Sequence, residues 1–357
     1  MDFRLSRRLS GLSGPILVTG HTGFKGTWLT FLLERLEVPV IGFSLPPERD
    51  SLFDRAKRTG SIPEEFSDIR DLQAISKFMA KYKPSAIFHM AAQPLVLESY
   101  KTPRETFETN VMGTVNVLDA AFKTSSVKAI VVITTDKVYR NDNSGNSFVE
   151  SDALAGKDPY SASKVGTESV VAAWQQISKV YGGPKIISVR AGNVIGGGDW
   201  AESRLLPDLI RGFISGEVTS IRNPQSTRPW QHVLDPLCGY LLALDAIRNG
   251  QEIASLNFGP NEDSLTVQQV FEIANNAWGK KINLPLETPE TYPLIQLEAL
   301  ELGLNSSRAN DLLNWAPFWS QNEAVTATTT WWKKTLFGHR DARQACLEDI
   351  AQVLPFS

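Results

Sequence analysis

A tyrosine and a lysine, Tyr160 and Lys164, carry the first chemical signal in the sequence. At i and i+4 they share a face if the segment is helical. Asp158 suits an N-cap and Pro159 a first turn, so a helix starting there is expected. A phenol beside an ammonium is an acid/base device, because the cation favours phenolate and lowers the tyrosine toward working pH. Upstream, Thr134-Thr135-Asp136-Lys137 follows Ile130-Val131-Val132-Ile133. That wholly β-branched apolar run predicts a buried parallel strand. Ligands of open α/β sheets bind at such C-terminal strand ends, so Thr135 is placed to bridge the hydroxyl that Tyr160 would deprotonate. Taken alone, a Tyr-x-x-x-Lys pair is most often a solvated helix face. A glycine-rich turn far upstream changes the odds.

That turn is Gly20-His21-Thr22-Gly23-Phe24-Lys25-Gly26. It follows the apolar Pro15-Ile16-Leu17-Val18-Thr19 and precedes Trp28, Leu29, Phe31, Leu32, Leu33 and Leu36 at helical spacing. Strand, glycine turn and amphipathic helix in that order form the context a dinucleotide site requires. Gly20 permits the tight turn, Gly23 lets the backbone approach a pyrophosphate, and Gly26 lets the helix pack on the strand. The helix N-terminus adds free N–H donors and a favourable dipole. A second strand is expected at Val38–Phe43. Ser44 stands at its end where an acid would bind a ribose 2′-hydroxyl, with Glu48, Arg49 and Asp50 beyond. The residues alone leave NAD and NADP open.

The elements that must position these groups alternate regularly to Arg190. Leu72, Ile75, Phe78, Met79 and Tyr82 repeat at helical spacing. Ala86-Ile87-Phe88-His89-Met90 reads as a buried strand with a packed core histidine, followed by Ala91-Ala92-Gln93. A long helix from Pro103 carries Phe107, Val111, Val115 and Leu118. Its Asn110 is expected to bond a backbone group and brace the strand that carries Thr135. Strand–helix alternation predicts a doubly wound parallel sheet. After Arg190 the texture changes to the glycine-dense run 191–200 and a helical piece at Leu205–Ile210. Arg222 and Arg228 follow, residues suited to a diphosphate. The apolar helix Val233–Ile247 and the strand Leu256–Gly259 return to the sheet. Trp315, Trp319, Trp331 and Trp332 are expected in the core or an interface, and residues 1–14 as a mobile tail.

The chain has 357 residues, suited to one large or two fused domains, with 42% hydrophobic and 21% charged residues and a formal net charge of −3. No basic footprint points to nucleic acid. The cysteines, Cys238 and Cys346, and the histidines, His21, His89, His232 and His339, show no metal-ligand spacing. No window reaches the length of a membrane span, and no apolar segment follows the basic N-terminus. A cytoplasmic protein is expected.

With the glycine turn, Thr135, Tyr160 and Lys164 together, the chain resembles the extended short-chain dehydrogenase/reductase family of nucleotide-sugar enzymes, from Pro15 to about Trp332. Within it, 20–26, 91–96, 135–137, 158–161, 190–200 and 228–233 resemble the branch that dehydrates CDP-glucose, above all in carrying Lys137 where other dehydratases have Glu. Leu97, Lys157, Asn305 and Arg308 depart from that branch. The resemblance implies a Rossmann domain over 15–190 with 229–260 returning to it, and a smaller mixed α/β sugar-nucleotide domain from 191–228 and 261–340. It implies NAD, held by Gly20, Thr22, Gly23, Phe24, Lys25, Gly26, Ser44, Asp68, Ile69, Ala91, Ala92, Gln93, Asn110, Thr134, Tyr160 and Lys164. It places the substrate on Asn193, Leu206, Arg222, Arg228, His232 and Arg308. Tyr160, Lys164 and Thr135 would oxidise C4. Lys137, as a neutral amine made so by burial, would take the C5 proton, and protonated Asp136 would donate to the departing C6 hydroxyl. A homodimer or homotetramer is implied, built on the two long helices. A 4-epimerase, a dehydratase for another nucleotide sugar and a non-catalytic NAD(P) sensor are the alternatives.

Overall fold

The computed structural model describes residues 9, 11–143, 145–216, 221, 223–279, 301–338 and 340–354. Seven strands form one sheet: β1 Ile16–Thr19, β2 Val40–Ser44, β3 Glu64–Phe66, β4 Ala86–His89, β5 Ala129–Ile133, β6 Lys185–Ala191 and β7 Ser255–Phe258. They lie in the order β7-β6-β5-β4-β1-β2-β3, every neighbour parallel. The strand order reverses beside β1, so a crevice opens between the C-terminal ends of β1 and β4.

The apolar runs are continuous because both sheet faces are covered. Ile16, Val18, Phe88, Val131 and Val189 face one layer, with Trp28 and Leu32 of α1 (Phe24–Arg35). Alternate residues Leu17, Ile87, Ile130, Val132 and Ile186 face the other. There they meet Ile75 and Met79 of α2 (Leu72–Tyr82), Val117 and Ala121 of α3, and Val171 of α4 (Pro159–Tyr181). Helix α3 joins Pro103–Phe107 and Gly113–Phe122 through a π-turn at Glu108–Met112. Asp158 and Ser161 close a capping box at the start of α4, with Pro159 in its first turn.

The other helices longer than ten residues are α5 (Leu205–Ser215), α6 (Leu234–Arg248), α7 (Val267–Trp278), α8 (Gln321–Phe337) and α9 (Ala342–Val353). Leu237 and Leu241 of α6 join the first layer, and β7 pairs with β6 as expected of a returning strand. Phe213 of α5 meets Phe271 and Trp278 of α7 at 6.4 and 5.4 Å. Three two-residue ladders stitch the upper lobe: Val194–Ile195 with Gln231–His232, Thr227–Arg228 with Leu265–Thr266, and Ser147–Phe148 with Gly303–Leu304. The four C-terminal tryptophans are buried.

One reading needs revision. Leu9 and Leu12, within the expected tail, pack on the core, and Ser85 Oγ donates to Gly14 O at 2.7 Å. Between Ser51 and Phe66, where the sequence shows no apolar period, lie a short helix, Leu52–Arg55, and the edge strand β3.

Candidate functional site

The glycine turn is shaped by steric demand. Gly20 has φ +74°, and a Cβ there would lie 2.8 Å from Ala91 N. A Cβ on Gly26 would meet Gly20 O at 2.1 Å. At Gly23 only Gly20 O comes near, at 3.3 Å, so this glycine serves approach from the cleft. Helix α1 starts at Gly23 with no capping side chain and no acid in its first turn. Its free N–H groups therefore suit an anion, and these residues fit the pyrophosphate of NAD. His21 is structural: its ring occupies the space a Cβ on Gly42 would fill, and Nε2 bonds Glu64 at 2.9 Å.

Beyond the turn, the hydroxyls of Thr22 and Ser44 pair at 2.8 Å. Arg70 holds Asp68 at 2.7 Å and keeps its carboxyl below the usual range. Asn116 fixes the Ile69 carbonyl at 3.2 Å. Asn110 sits in the π-turn of α3, a feature often found at functional sites. It accepts from Gln93 N at 2.8 Å and donates to Gln93 O and Ser163 Oγ at 3.1 and 2.8 Å. It thus braces the loop after β4 against α4, not the strand of Thr135. His89 is the packed histidine expected, bonded to Thr19 and Thr114, and burial keeps it neutral, pushed down to about 3.

The end of β5 and the start of α4 bring Thr135, Lys137, Tyr160 and Lys164 into one cleft of about 880 Å³, with Asp136 behind its wall. Thr135 caps the turn Asp136–Val138. Asp136 is wholly buried. Its Oδ1 accepts from Thr135 Oγ1 at 3.0 Å and from Lys137 Nζ at 3.2 Å, while Oδ2 has no partner. Lys137 is 32% exposed, so the burial expected of it is only partial. Its Nζ lies 3.5 Å from Asn193 Oδ1.

Tyr160 is buried, and burial pushes its phenol up to about 12, against the pull of its hydrogen bond with Thr135 and the charge of Arg204. The lowering expected from Lys164 is not found: Arg204, not Lys164, is the cation that acts on the phenol. The Lys164 ammonium donates to Ile133 O at 3.1 Å and is itself brought down to about 8 by burial, which Glu168 opposes.

On the sugar side, Asn193, Leu206 and Arg228 line the cleft. Arg228 Nη1 donates to Thr227 O at 2.7 Å. Arg222 lies outside the described residues. His232 does not line the cleft. Its strand carries it beneath α1 and the C-terminal helices, between Trp28 and Trp319, 3.8 Å from Asp349 Oδ2. Arg308 opens a short helix, Ser307–Leu313, and lies in a separate surface hollow with Glu252 and Asp311. Neither contacts the acid/base cluster.

Sequence reasoning missed several groups. Arg204, bonded to Asp199 at 3.0 Å, lines the cleft near Tyr160. Lys25, expected to hold NAD, also makes a contact the sequence did not signal: it donates to the buried Tyr240 of α6 at 2.9 Å, and burial together with Lys164 and Arg204 pulls it down to about 7. Glu168 stands one turn beyond Lys164, and that spacing was the available signal. The dense glycines at 196–198 answer packing: a Cβ on Gly197 would lie 2.0 Å from Trp331 and one on Gly198 2.4 Å from Leu52. Among the described residues no group of three or more metal-ligating side chains occurs, and no helix is long and apolar enough to cross a membrane.

Residues 16–259 match the model of the NAD dependent epimerase/dehydratase family. CDP-glucose 4,6-dehydratase of Salmonella typhimurium is 40% identical over 332 residues, 90% of this chain and 91% of that protein. dTDP-glucose 4,6-dehydratase 1 of Escherichia coli is 26% identical, covering 89% and 92%. Among solved structures, UDP-glucose 4-epimerase of Thermus thermophilus, in complex with NAD, shares the fold. Its TM-score is 0.78 at 22% identity, over 90% of this chain and 100% of that one. DesIV, a dTDP-glucose 4,6-dehydratase of Streptomyces venezuelae, does so with a TM-score of 0.77 at 23% identity, over 91% and 98%. The glycine turn, the paired Tyr160 and Lys164 and these matches agree, and the chain belongs to the NAD dependent epimerase/dehydratase family.

Proposed function

We propose that the protein converts CDP-glucose to CDP-4-keto-6-deoxyglucose by an internal redox cycle that eliminates water. The observation that carries this reading is that Thr135 and Lys137, which flank the buried Asp136 in one turn, share a cleft with Tyr160 and Lys164. An oxidation needs the last two and Thr135. Asp136 and Lys137 add an acid and a base for elimination. The relative that is 40% identical, a CDP-glucose 4,6-dehydratase, supports the choice of nucleotide.

NAD, when bound, supplies the acceptor and later the donor of one hydride. Tyr160 as phenolate takes the proton of the sugar C4 hydroxyl, which Thr135 orients. Lys164 stabilises that phenolate by its charge. The C4 ketone acidifies C5, and Lys137 as amine removes the C5 proton. Asp136 delivers a proton to the C6 hydroxyl as its C–O bond breaks, releasing water. Lys137 returns its proton to C5 as C6 is reduced. Asn193, Leu206 and Arg228 hold the sugar nucleotide, and Gly20, Gly23, Gly26, Ser44, Asp68 and Asn110 belong to the cofactor side. The division into a cofactor domain (15–190 and 229–260) and a sugar-nucleotide domain (191–228 and 261–340) is part of this reading.

So is self-association through α3 and α4. Phe107, Met112, Ile177, Val180 and Tyr181 are exposed on these helices, and exposed apolar groups on two long helices suit a second copy.

Purified protein is to be incubated separately with CDP-, dTDP-, UDP- and GDP-glucose, without added cofactor. A keto sugar lighter by one water, formed fastest from CDP-glucose, is expected. An isomer of equal mass would show an epimerase, and unchanged sugar would defeat both readings.

A further inference from the structure

Tyr160 acts from the first turn of a helix, where backbone N–H groups have no partner inside the helix. At the start of α4 these groups can be accounted for one by one. Asp158 N donates to Ser161 Oγ at 3.1 Å, Pro159 has no N–H, and Ser161 N donates to Asp158 Oδ1 at 2.9 Å. From Ala162 the helix serves itself, the N–H of that residue reaching Asp158 O at 2.8 Å. The capping box therefore leaves one donor over, the N–H of Tyr160 itself.

That donor is taken from outside the helix. Ser99 Oγ, 61 residues earlier in the short helix Val96–Lys101, accepts it at 3.1 Å. Ser99 has one hydroxyl proton and gives it to Val96 O at 2.6 Å, so toward Tyr160 its oxygen can only accept. Ser99 is wholly buried and does not line the cleft, whereas its neighbours Val96, Leu97, Glu98, Tyr100 and Lys101 do. It stands behind the cleft wall and joins that wall to the backbone of the acid/base tyrosine.

We propose that Ser99 is a positioning residue for the oxidation of C4, fixing Tyr160 against the wall helix Val96–Lys101. The inference rests on the proposed cycle, in which Tyr160 takes the C4 hydroxyl proton. Ser99 touches neither sugar nor cofactor and acts through Tyr160. Without its hydroxyl a buried N–H loses its partner, and the start of α4 must shift to find another. Tyr160 moves with it, being the second residue of the helix. Lys164 keeps its own tie to Ile133 O at 3.1 Å, so the displacement falls on the phenol and spares the cofactor side. A misplacement of about 1 Å can cost about 10²-fold in rate.

The test is a single turnover with the NAD-loaded enzyme in excess over CDP-glucose. The rate constant reads the geometry, and the amplitude reads the fraction of enzyme that is folded. Ser99→Ala should lower the rate constant by about 10²-fold at full amplitude. Its nicotinamide should stay oxidised throughout, because nicotinamide reduction has become the slow step, and CDP-glucose deuterated at C4 should react more slowly still. Ser99→Thr, which keeps the hydroxyl, should return to the wild-type rate. Lost amplitude at the wild-type rate constant would make Ser99 merely structural. A build-up of reduced nicotinamide would put the defect after the step of Tyr160. Either overturns the proposal. Amide hydrogen exchange at Tyr160 in the wild-type holoenzyme needs no variant. Slow exchange is expected of a bonded N–H, and fast exchange overturns the tie even if Ser99→Ala does not fold. A wild type that reduces its nicotinamide while Ser99→Ala keeps pace defeats the role of Ser99 alone. A wild type that never reduces its nicotinamide with CDP-glucose defeats the dehydratase reading as well.

Discussion

Lys137 reaches the cleft with its Nζ 3.2 Å from Asp136 Oδ1 and its side chain one-third exposed. If it is the C5 base, Lys137→Ala removes the middle step and leaves oxidation intact. Nicotinamide reduction should then persist, no deuterium should enter C5 from heavy water, and turnover should fall about 10²–10⁴-fold. Normal C5 exchange at saturating substrate would remove Lys137 from the mechanism. Arg228 is buried at the cleft wall. Arg228→Ala should weaken sugar-nucleotide binding by roughly 1.5–3 kcal/mol, the worth of a charge-assisted hydrogen bond, with NAD affinity unchanged. Calorimetry with each ligand separates the two. At this scale the sequence was informative wherever chemistry followed short spacing, as in Tyr160 with Lys164 or Thr135 with Asp136. It was silent on Lys25 with Tyr240, partners 215 residues apart. His232 and Arg308 show the opposite error. Motif neighbours share a stretch of chain, but His232 runs under α1 and Arg308 turns to the surface.

Elements are joined at the cleft by one buried carboxylate. Glu168 on α4 accepts from Arg190 of β6 at 2.9 and 2.9 Å, from Ser188 of β6 at 2.7 Å, and from Thr134 at the end of β5 at 2.5 Å. Arg190 also donates to Tyr139 Oη at 2.8 Å, whose hydroxyl donates to Asn257 of β7 at 2.7 Å. The helix of Tyr160 and Lys164 is thereby locked to the strand end of Thr135. Burial would raise Glu168, but Arg190 with Thr134 and Ser188 holds it below the usual carboxylate range. Its contribution is present above the unfolded carboxylate pKa and is lost as pH falls through the lower folded value. Glu168→Gln leaves the Arg190 charge buried without its partner and should cost about 3–5 kcal/mol in urea unfolding. Loss of under about 1 kcal/mol would show that the pair is dispensable. The elements themselves were legible where both faces are buried, because continuous apolar strands and capped helices announce themselves. β3 was not: three residues at an exposed sheet edge carry no apolar pattern. The short helix Leu52–Arg55 also lies in that unpatterned stretch, which follows the left-handed turn at Asp50 (φ +61°).

At the scale of the whole molecule, the sheet body is sealed to its C-terminal helices by a seam of buried polar groups with few partners. Asp235, in the first turn of α6, accepts from Phe318 N at 2.6 Å through Oδ1, and its Oδ2 has none. Its main-chain oxygen accepts from the Trp315 indole at 3.0 Å. Nearby, Asp349 of α9 faces the neutral His232. Burial raises Asp235 from 3.8 to about 8 and Asp349 from 3.8 to about 7. The folded chain therefore holds these two protons over a range in which the unfolded chain has lost them. Between about pH 4 and 8 the native state binds more protons, so these groups make stability fall as pH rises. Below the unfolded pKa the seam costs nothing in protonation. Above the folded values it contains buried carboxylates with incomplete bonding. Asp235→Asn keeps the acceptor for Phe318 N and removes the ionisation. It should match the wild type near pH 4, where both side chains are neutral. Near pH 8 it should be more stable by on the order of a few kcal/mol, the free energy of a pKa displacement of this size. Thermal or urea unfolding of both proteins at the two pH values reads the difference directly. If Asp235→Asn gains nothing on going from pH 4 to pH 8, then Asp235 is ionised in the native seam, and its unbonded Oδ2 must be compensated by the field of the α6 N-terminus.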